Sequence, residues 1–402
     1  MMRKRLGALI AIGALATGLA ACGGSDDAGS GGDGGDVVKV GYIVSLTGPA
    51  ASDAARDVAG ARIAVRKIND AGGIDGTRVE LIVRDDRTDP TTATRQARDL
   101  VLSDGVSFLA GGNVSPVAAA VEQVAASSKV PYIISTASAA SLIEETGNSY
   151  TFRAWANSEV MPGPVAQFAA RQQWRDVAVV YGNFDFGREV STSFVSALER
   201  ANPQARIVAR IPADLTQTDF SGIINQLLAK RPDAVFLGGI YGTAYLAFAK
   251  QGVPAGLYRQ AHVMSFIGGT EIDQLGELLP SGQQIGFNAF YPQIDDPFAR
   301  EFSDEVEAAS GEIADGSNLV GYMTIQWVAE AVRAAGSTDR QKLADALHDG
   351  ASLDTFIGRV EMRPDGQATG SYWYGTIVRR GGAATMTDLG TAPATDFLAP
   401  VR

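Results

Sequence analysis

The sequence predicts an α/β protein in which two similar halves each contain a parallel sheet with helices on its faces. Short β-branched and apolar runs alternate with longer segments that carry apolar residues at helical spacing. This alternation occurs in two successive series, with Trp155 near the boundary between them. Of the 402 residues, 46% are hydrophobic and 20% are charged, so the chain has enough apolar material for large folded cores.

The N-terminus predicts export from the cytoplasm. Three basic residues at positions 3–5 precede an apolar run over residues 6–21. That run is shorter than a typical membrane-spanning helix and is typical of a secretory signal. We therefore expect residues 1–21 to be a signal peptide.

The end of this signal predicts a lipid anchor. Residues 19–23 read Leu-Ala-Ala-Cys-Gly and resemble the lipobox of bacterial lipoproteins, which are cleaved before the cysteine and acylated on its thiol. Cys22 is the single cysteine of the chain, and the alternative is that it is only a small buried residue. The following residues are rich in Gly and Asp and should form a flexible tether, so residues 22–36 are expected to be anchor and tether.

In the first series, turn and cap signals mark the helix boundaries. Gly72 and Gly73 end the first helix, while Asp89 before Pro90 is an N-cap followed by proline at the first helical position. Because strands alternate with helices here, we expect the strands to be parallel. The expected strands are 37–44, 78–84, 108–111 and 131–135, and the expected helices are 52–69, 90–103 and 117–127.

The second series repeats this pattern and adds elements at its end. Its expected strands are 177–181, 207–211, 234–239, 262–266 and 284–290, followed later by 359–362 and 372–378. Its expected helices are 162–171, 189–200, 220–230, 243–251, 297–309 and 319–335. Two similar halves with extra terminal elements indicate two lobes joined by several crossings of the chain.

Composition argues against several functional classes. Lys and Arg number 34 against 45 Asp and Glu, so the net charge of −11 disfavours a nucleic-acid-binding face. One cysteine and two histidines make a zinc site hard to assemble. We therefore expect no metal, no nucleic acid and no cofactor.

Catalytic motifs are equally sparse. A G-x-G-x-x-G match at residues 29–34 lies inside the expected tether, without a strand before it or a helix after it. There is no phosphate-binding Gly-Lys-Ser/Thr loop and no G-x-S-x-G elbow. Asp85 and Asp86 are adjacent acids at a strand end, where solvation and turn bonding explain them. Without a nucleophile and base pair, the sequence predicts that the protein is not an enzyme.

Several segments, taken in order, resemble a known family. They are VGYIVSLTGP at 40–49, INDAGGIDG at 68–76, Asp85-Asp86 through Asp89-Pro90, GGNVS at 111–115, residues 133–139, Phe186-Gly187, PDAV at 232–235 and Gly321-Tyr322. Together they resemble the leucine/isoleucine/valine-binding proteins, the type I solute-binding proteins of ABC importers. The resemblance covers essentially residue 37 to the C-terminus.

This resemblance implies two Rossmann-like lobes joined by a three-crossing hinge, with a ligand held in the cleft between them. The first lobe would contain residues 37–153 and 291–370, and the second 154–290 and 371–402. A cleft at the carboxyl ends of the strands agrees with the general rule for open α/β sheets. Periplasmic binding proteins close by hinge motion around their ligands.

The resemblance also implies ligand-binding positions in the first lobe, where hydroxyl and backbone N–H groups meet the ligand carboxylate. They are Thr47, Asn113, Ser115, Ala137, Ser138 and Ala139. Ser115 precedes a helix, so its hydroxyl is able either to cap that helix or to bind ligand. Ala139 replaces a threonine of the family, which removes one polar contact to an amino acid head group.

In the second lobe the resemblance points to aromatic walls. Phe186 falls at the family's lid position and Tyr241 at or beside another aromatic position, with simple loop packing as the alternative for each. The family's ammonium-binding acid aligns with Ile267, so an amino acid ligand would need another acid, such as Asp185 or Glu271.

The resulting hypothesis is an extracytoplasmic, lipid-anchored solute-binding protein of a branched-chain-amino-acid-type importer. It would capture a small amino acid or an apolar or aromatic carboxylate by hinge closure and deliver it to an ABC permease. The alternatives are a ligand-sensing lipoprotein on the same fold without a transport role, an enzyme on this fold, and a structural envelope lipoprotein.

Overall fold

The structure arranges the chain around two separate β-sheets. It is a computed structural model that describes residues 37–48, 50–214, 217–275, 277–380 and 383–401. The expected signal peptide, Cys22 and the tether lie outside the described residues. No helix in the described ranges is both long and apolar enough to cross a membrane.

The first sheet contains five parallel strands in the order β2-β1-β3-β4-β5. Its strands are β1 (Val37–Val44), β2 (Arg78–Asp85), β3 (Phe108–Gly111), β4 (Tyr132–Ile134) and β5 (Thr151–Arg153). The helices between them are α1 (Ala51–Asp70), α2 (Pro90–Asp99), α3 (Ser115–Ser128) and α4 (Ser141–Glu144). Asp89 caps α2 as expected, because its carboxylate accepts a hydrogen bond of 2.7 Å from the Thr92 N–H. The predicted 90–103 helix ends as a π-helical turn, Leu100–Asp104.

The second sheet has seven strands in the order β14-β13-β10-β9-β8-β6-β7. The strands of this region are β6 (Asp176–Gly182), β7 (Arg206–Ala213), β8 (Ala234–Gly238), β9 (His262–Phe266), β10 (Gln284–Asn288), β11 (Ser352–Thr355), β12 (Gly358–Glu361), β13 (Trp373–Arg380) and β14 (Ala383–Thr391). The helices are α5 (Gly163–Arg171), α6 (Asp185–Ala201), α7 (Ser221–Lys230), α8 (Gly242–Ala255), α9 (Leu257–Gln260), α10 (Gly269–Leu275), α11 (Pro297–Ser310), α12 (Gly316–Ala335) and α13 (Arg340–His348).

The strands after β10 depart from the all-parallel expectation. The predicted strand at 359–362 pairs with β11 in a separate two-stranded hairpin instead of joining a large sheet. β13 pairs antiparallel with β10, and β14 pairs antiparallel with β13. The chain leaves β10 at its carboxyl end and returns to that same end after packing near the first sheet, so β13 must run in the opposite direction.

The long helix α12 returns to the first sheet and packs closely along α1. A Cβ atom on Gly60 would lie 1.8 Å from the Asn318 carbonyl oxygen, and one on Gly321 would lie 1.9 Å from the Asp57 carbonyl oxygen. Only glycine permits this backbone approach. Three connections therefore run between the regions of the two sheets: after β5, after β10 and before β13.

Candidate functional site

Both sheets have the same strand order in their parallel part, and this order predicts where a ligand would bind. The order reverses between β1 and β3 in the first sheet and between β6 and β8 in the second. In open α/β sheets, ligands bind beyond the carboxyl ends of strands at such reversals. Asn113 follows β3, Phe186 follows β6 and Tyr241 follows β8. The residues implied by the resemblance therefore cluster at the two reversal points.

A buried carboxylate organises the first reversal point. Asp57 of α1 is fully buried and accepts hydrogen bonds from the hydroxyls of Tyr42 and Ser135, both at 2.7 Å, and from the Asn113 amide at 3.0 Å. Burial raises the pKa of Asp57 to about 6, although these three donors act in the opposite direction. The Asn113 oxygen also accepts a hydrogen bond of 3.3 Å from the Ser45 N–H. The network joins the ends of β1, β3 and β4 to α1.

Two of the expected ligand residues have their polar groups engaged within the protein. The second N–H of the Asn113 amide donates to the Thr136 hydroxyl at 2.8 Å, so both of its N–H groups are used. Thr47 is exposed, its N–H donates to Asp85 Oδ1 at 3.2 Å, and its hydroxyl donates to the other oxygen of that carboxylate. Asn113 and Thr47 thus fix the loops that follow β3 and β1.

The loop after β4, residues 137–140, has most of its backbone groups hydrogen-bonded. Within the described residues, the exceptions among its donors are the N–H groups of Ser138 and Ala139. These residues are only 7% and 3% exposed, and buried N–H groups without an acceptor are rare in proteins. The bonds present include Ala137 N–H to Gly112 O (2.9 Å), Ser158 N–H to Ser138 O (2.7 Å), Arg153 Nε to Ala137 O (3.2 Å), Arg153 Nη2 to Ala139 O, and Ala140 N–H to Glu189 Oε2 (3.1 Å). The loop therefore offers two adjacent donors to an acceptor from outside the chain.

Ser115 stands at the start of α3, beside this loop. The structure makes Val114 the N-cap of α3, with no side-chain cap hydrogen bond, so Ser115 does not cap the helix. Its hydroxyl makes no hydrogen bond to any residue in the described ranges. A helix N-terminus also favours a negative charge through its free N–H groups. Ser115 and the 137–140 loop together suit a carboxylate.

Aromatic side chains line the second reversal point. The rings of Phe186 and Tyr241 lie 6.4 Å apart in an edge-to-face arrangement, and Phe184 lies 6.3 Å from Phe186. Phe186 is half-buried, whereas Tyr241 is exposed. Partial desolvation and the negative charge of Asp53, on α1, raise the pKa of Tyr241 to about 12. The tyrosine therefore lies close to the first sheet's helix α1.

Glu189 links the aromatic wall to the 137–140 loop. It lies three residues after Phe186 on α6, so the two side chains share a helix face. Its carboxylate accepts hydrogen bonds from the Ala140 N–H at 3.1 Å and from the Ser158 hydroxyl at 2.6 Å. Helix α6, which carries Phe186, thus contacts the 137–140 loop through Glu189.

Arg56 of α1 makes a second contact between the two sides. Its side chain is 7% exposed and lies within 3.1 Å of Asp53 and of Glu312, and within 3.3 Å of Asp315. The same guanidinium donates to the Thr270 hydroxyl at 3.1 Å, on α10 of the second sheet. Burial raises the pKa of Asp315 to about 7, while Arg56 acts to lower it.

Ile267 lies apart from the aromatic wall. It is fully buried, and its side chain lies 2.5 Å from where a Cβ on Gly286 would stand, so it belongs to the packing of the second sheet. Glu271, one of the two alternative acids, is on α10 and accepts a hydrogen bond of 3.0 Å from the Gly268 N–H. The other, Asp185, is exposed and ion-paired with Arg188.

Arg56, Arg153 and Glu189 were missed by the sequence reasoning. Arg56 and Glu189 sit on ordinary amphipathic helices, where a charged residue is usually a solvated one. Arg153 gave one usable signal, because it lies between Phe152 and Ala154 in an apolar strand, where a charge needs partners. No group of three or more His, Cys, Asp or Glu side chains in the described part of the chain could hold a metal.

Comparison with known proteins assigns the family. Residues 37–383 match the family model described as periplasmic binding protein. The leucine-, isoleucine-, valine-, threonine- and alanine-binding protein of Pseudomonas aeruginosa is 26% identical over 314 residues, covering 78% of this chain and 82% of that protein.

Solved structures share the fold. A solute-binding protein of an ABC transporter from Rhodopseudomonas palustris, in complex with p-hydroxybenzoic acid, superposes with a TM-score of 0.80 at 21% identity, covering 89% of this chain and 98% of the other. The branched-chain amino acid transporter substrate-binding protein of Streptococcus pneumoniae, in complex with isoleucine, gives a TM-score of 0.76 at 20% identity, with 89% and 100% covered. This chain belongs to the periplasmic binding protein family, the extracytoplasmic solute-binding proteins of ABC transporters, and is not an enzyme.

Proposed function

We propose that this chain is a lipid-anchored solute-binding protein of an ABC importer. It captures a small amino acid or an apolar or aromatic carboxylate between two lobes, residues 37–153 with 291–370 and residues 154–290 with 371–402. The observation that carries this proposal is the pair of N–H groups at the buried residues Ser138 and Ala139, which have no acceptor among the described residues.

The chemistry of this pair selects an anionic acceptor. Two adjacent backbone donors, the Ser115 hydroxyl and a helix N-terminus offer hydrogen bonds that a carboxylate oxygen accepts well. The rings of Phe186 and Tyr241 cover an apolar ligand body by burying its surface. The contacts of Glu189 with Ala140 and of Arg56 with Thr270 join the lobes in the closed form.

Asp53 and Glu271 decide between the two ligand classes. Both lie near the Arg56 guanidinium, and the Asp53 charge reaches the Tyr241 hydroxyl. The ammonium group of an amino acid in the cleft would form ion pairs with these carboxylates. A ligand without an amino group would leave Asp53 and Glu271 interacting with Arg56 alone. A zwitterionic amino acid is bound if Asp53 is turned to the ligand, and an aromatic acid if it stays with the arginine.

A thermal-shift and calorimetry panel tests the proposal. Isoleucine, 4-methylvalerate, 4-hydroxybenzoate and their carboxamides are added to the purified mature domain, residues 37–402. Binding at saturation, about 100 times the dissociation constant, adds roughly 2.7 kcal/mol of stability, so even one true ligand raises the melting temperature clearly. Stabilisation only by polyols or cations, or equal stabilisation by acid and amide, would contradict a carboxylate site.

Ser115→Ala provides a matched test of the site. The variant should weaken carboxylate binding about 5- to 10-fold through the loss of one hydrogen bond. Ser127→Ala is the control, because the Ser127 hydroxyl donates to the Val124 carbonyl at 3.1 Å at the other end of the same helix. If both variants bind alike, Ser115 does not contact the ligand.

A further inference from the structure

Arg153 ends β5 and lies completely buried behind the 137–140 loop. Its guanidinium donates three hydrogen bonds: Nε to the Ala137 carbonyl at 3.2 Å, Nη2 to the Ala139 carbonyl, and Nη1 to the Gln367 side-chain oxygen at 2.8 Å. All three acceptors are neutral oxygen atoms. The arginine therefore fixes the two carbonyls that flank Ser138 and Ala139 on the side of the loop away from solvent.

The charge of this guanidinium has no close counterion. No carboxylate among the described residues lies within ion-pair distance of it. The charges of Glu189, Glu144 and Glu122 act to raise the pKa of this guanidinium, whereas burial has the larger effect and lowers it to about 10. A buried cation with neutral partners alone carries a large desolvation penalty, which a nearby anion reduces. The loop in front of Arg153 is thus a favourable place for a ligand carboxylate.

Arg153 also connects the loop to the chain segments that join the two sheets. Its own N–H donates to the Gly366 carbonyl at 2.8 Å, and its carbonyl accepts from the Ala368 N–H at 3.1 Å. Gln367 in turn donates to the carbonyls of Trp155 and Ala368. The residue therefore bonds the loop to the first and third of the three connections.

We propose that Arg153 is a positioning residue for ligand binding: it holds the 137–140 loop so that the N–H groups of Ser138 and Ala139 face the cleft, and its charge favours a carboxylate over a neutral group at that place. This inference rests on the proposed function, since it presumes a carboxylate in front of the loop. Arg153 does not itself touch the ligand, because it is completely buried and each of its three side-chain nitrogens already donates to an oxygen of the protein.

The test compares charge and geometry at this position. Arg153→Gln removes the charge and the fork of donors, whereas Arg153→Lys keeps the charge but is unable to bridge both carbonyls. The control is Arg340→Gln, because Arg340 also donates twice to a backbone carbonyl, that of Val106, at 3.1 and 2.6 Å, away from the crevice. Titrations use isoleucine with isoleucinamide and 4-hydroxybenzoate with 4-hydroxybenzamide as probes.

We expect Arg153→Gln to weaken binding of the carboxylate that wild type binds by about 10- to 100-fold, because the Ser138 and Ala139 N–H groups lose their fixed direction and with it hydrogen bonds to the charged ligand group. Binding of the matching amide should fall less, so the preference for acid over amide shrinks about tenfold. Arg153→Lys should recover part of that preference, and Arg340→Gln should leave it unchanged. An equal loss for acid and amide, or an unchanged ratio, would overturn the inference, since a purely structural residue affects both alike.

Hydrogen exchange of the ligand-free protein supplies a readout that needs no ligand. Peptides covering residues 135–141 should exchange at least tenfold faster in Arg153→Gln and at the wild-type rate in Arg340→Gln. If wild type binds none of the probes, the proposed function fails, while slow exchange of this loop in Arg153→Gln would separately overturn the positioning role.

A second variant keeps the proposal testable if Arg153→Gln does not fold. Gln367→Glu keeps Arg153 and an oxygen that accepts its hydrogen bond, and it adds a counterion beside the guanidinium, although it loses the two hydrogen bonds that the Gln367 amide donates to the Trp155 and Ala368 carbonyls. The acid-to-amide preference should fall in this variant as well. A preference equal to that of wild type would show that the uncompensated charge of Arg153 has no part in selecting the ligand.

Discussion

Replacing Asp57 by asparagine should make the stability of the protein less dependent on pH. The carboxyl is fully buried, and its pKa is raised by burial from 3.8 to about 6. The folded protein therefore keeps the proton up to about pH 6, whereas the unfolded chain releases it near pH 4. Unfolding releases a proton between these values, so stability falls as pH rises through this window.

The size of the effect follows from that separation. The difference of about two pH units corresponds to roughly 3 kcal/mol, because one unit is worth ~1.4 kcal/mol. In Asp57→Asn this contribution disappears. The asparagine oxygen still accepts from Ser135 and Asn113, and its N–H donates to the Tyr42 hydroxyl with the roles of donor and acceptor exchanged. The variant should therefore equal or exceed wild type in stability at pH 7.5 and lose that advantage near pH 4.5.

Urea unfolding at pH 4.5, 5.5, 6.5 and 7.5 measures the difference, with the free energy extrapolated linearly to water. Burial also raises the pKa values of Glu122 and Asp315, each to about 7. The unfolding free energy of both wild type and variant therefore changes with pH for reasons other than Asp57. The informative quantity is how the difference in unfolding free energy between variant and wild type changes with pH. If that difference is constant from pH 4.5 to 7.5, Asp57 does not titrate as the geometry requires.

Three further predictions test the site, the anchor and the helix packing. Phe186→Ala should weaken ligand binding by roughly 1.5–3 kcal/mol, the scale for a large apolar side chain. Phe298→Ala, on α11 and remote from the crevice, should lower stability without changing affinity. Cys22→Ser should abolish lipid labelling and release the protein, whereas an unchanged mass in the membrane fraction would disprove the anchor. Gly321→Ala should lower stability by about 1–3 kcal/mol, because its Cβ would lie 1.9 Å from the Asp57 carbonyl oxygen, while Gly222→Ala, with open space around it, should not.

The sequence by itself determined the elements whose signals are local. The strand and helix alternation, the stop at Gly72 and Gly73 and the cap at Asp89 all depend on residues within a few positions of one another. The order of short motifs was also enough to suggest the family, which the match over residues 37–383 confirms. Periodicity and turn chemistry act over one element at a time, so a reader of the sequence has access to them.

Tertiary structure decided which distant segments meet. Arg153 bonds a loop that lies 14 to 16 residues before it and Gln367, which lies 214 residues after it. Arg56 meets Thr270 across 214 positions, and α12 packs on α1 through glycines that no local rule would pair. The antiparallel return of β13 and the burial of Ile267 also follow from the path of the chain between the sheets. Contacts of this kind depend on the packing of whole layers, whereas the local pattern of each segment is compatible with many partners.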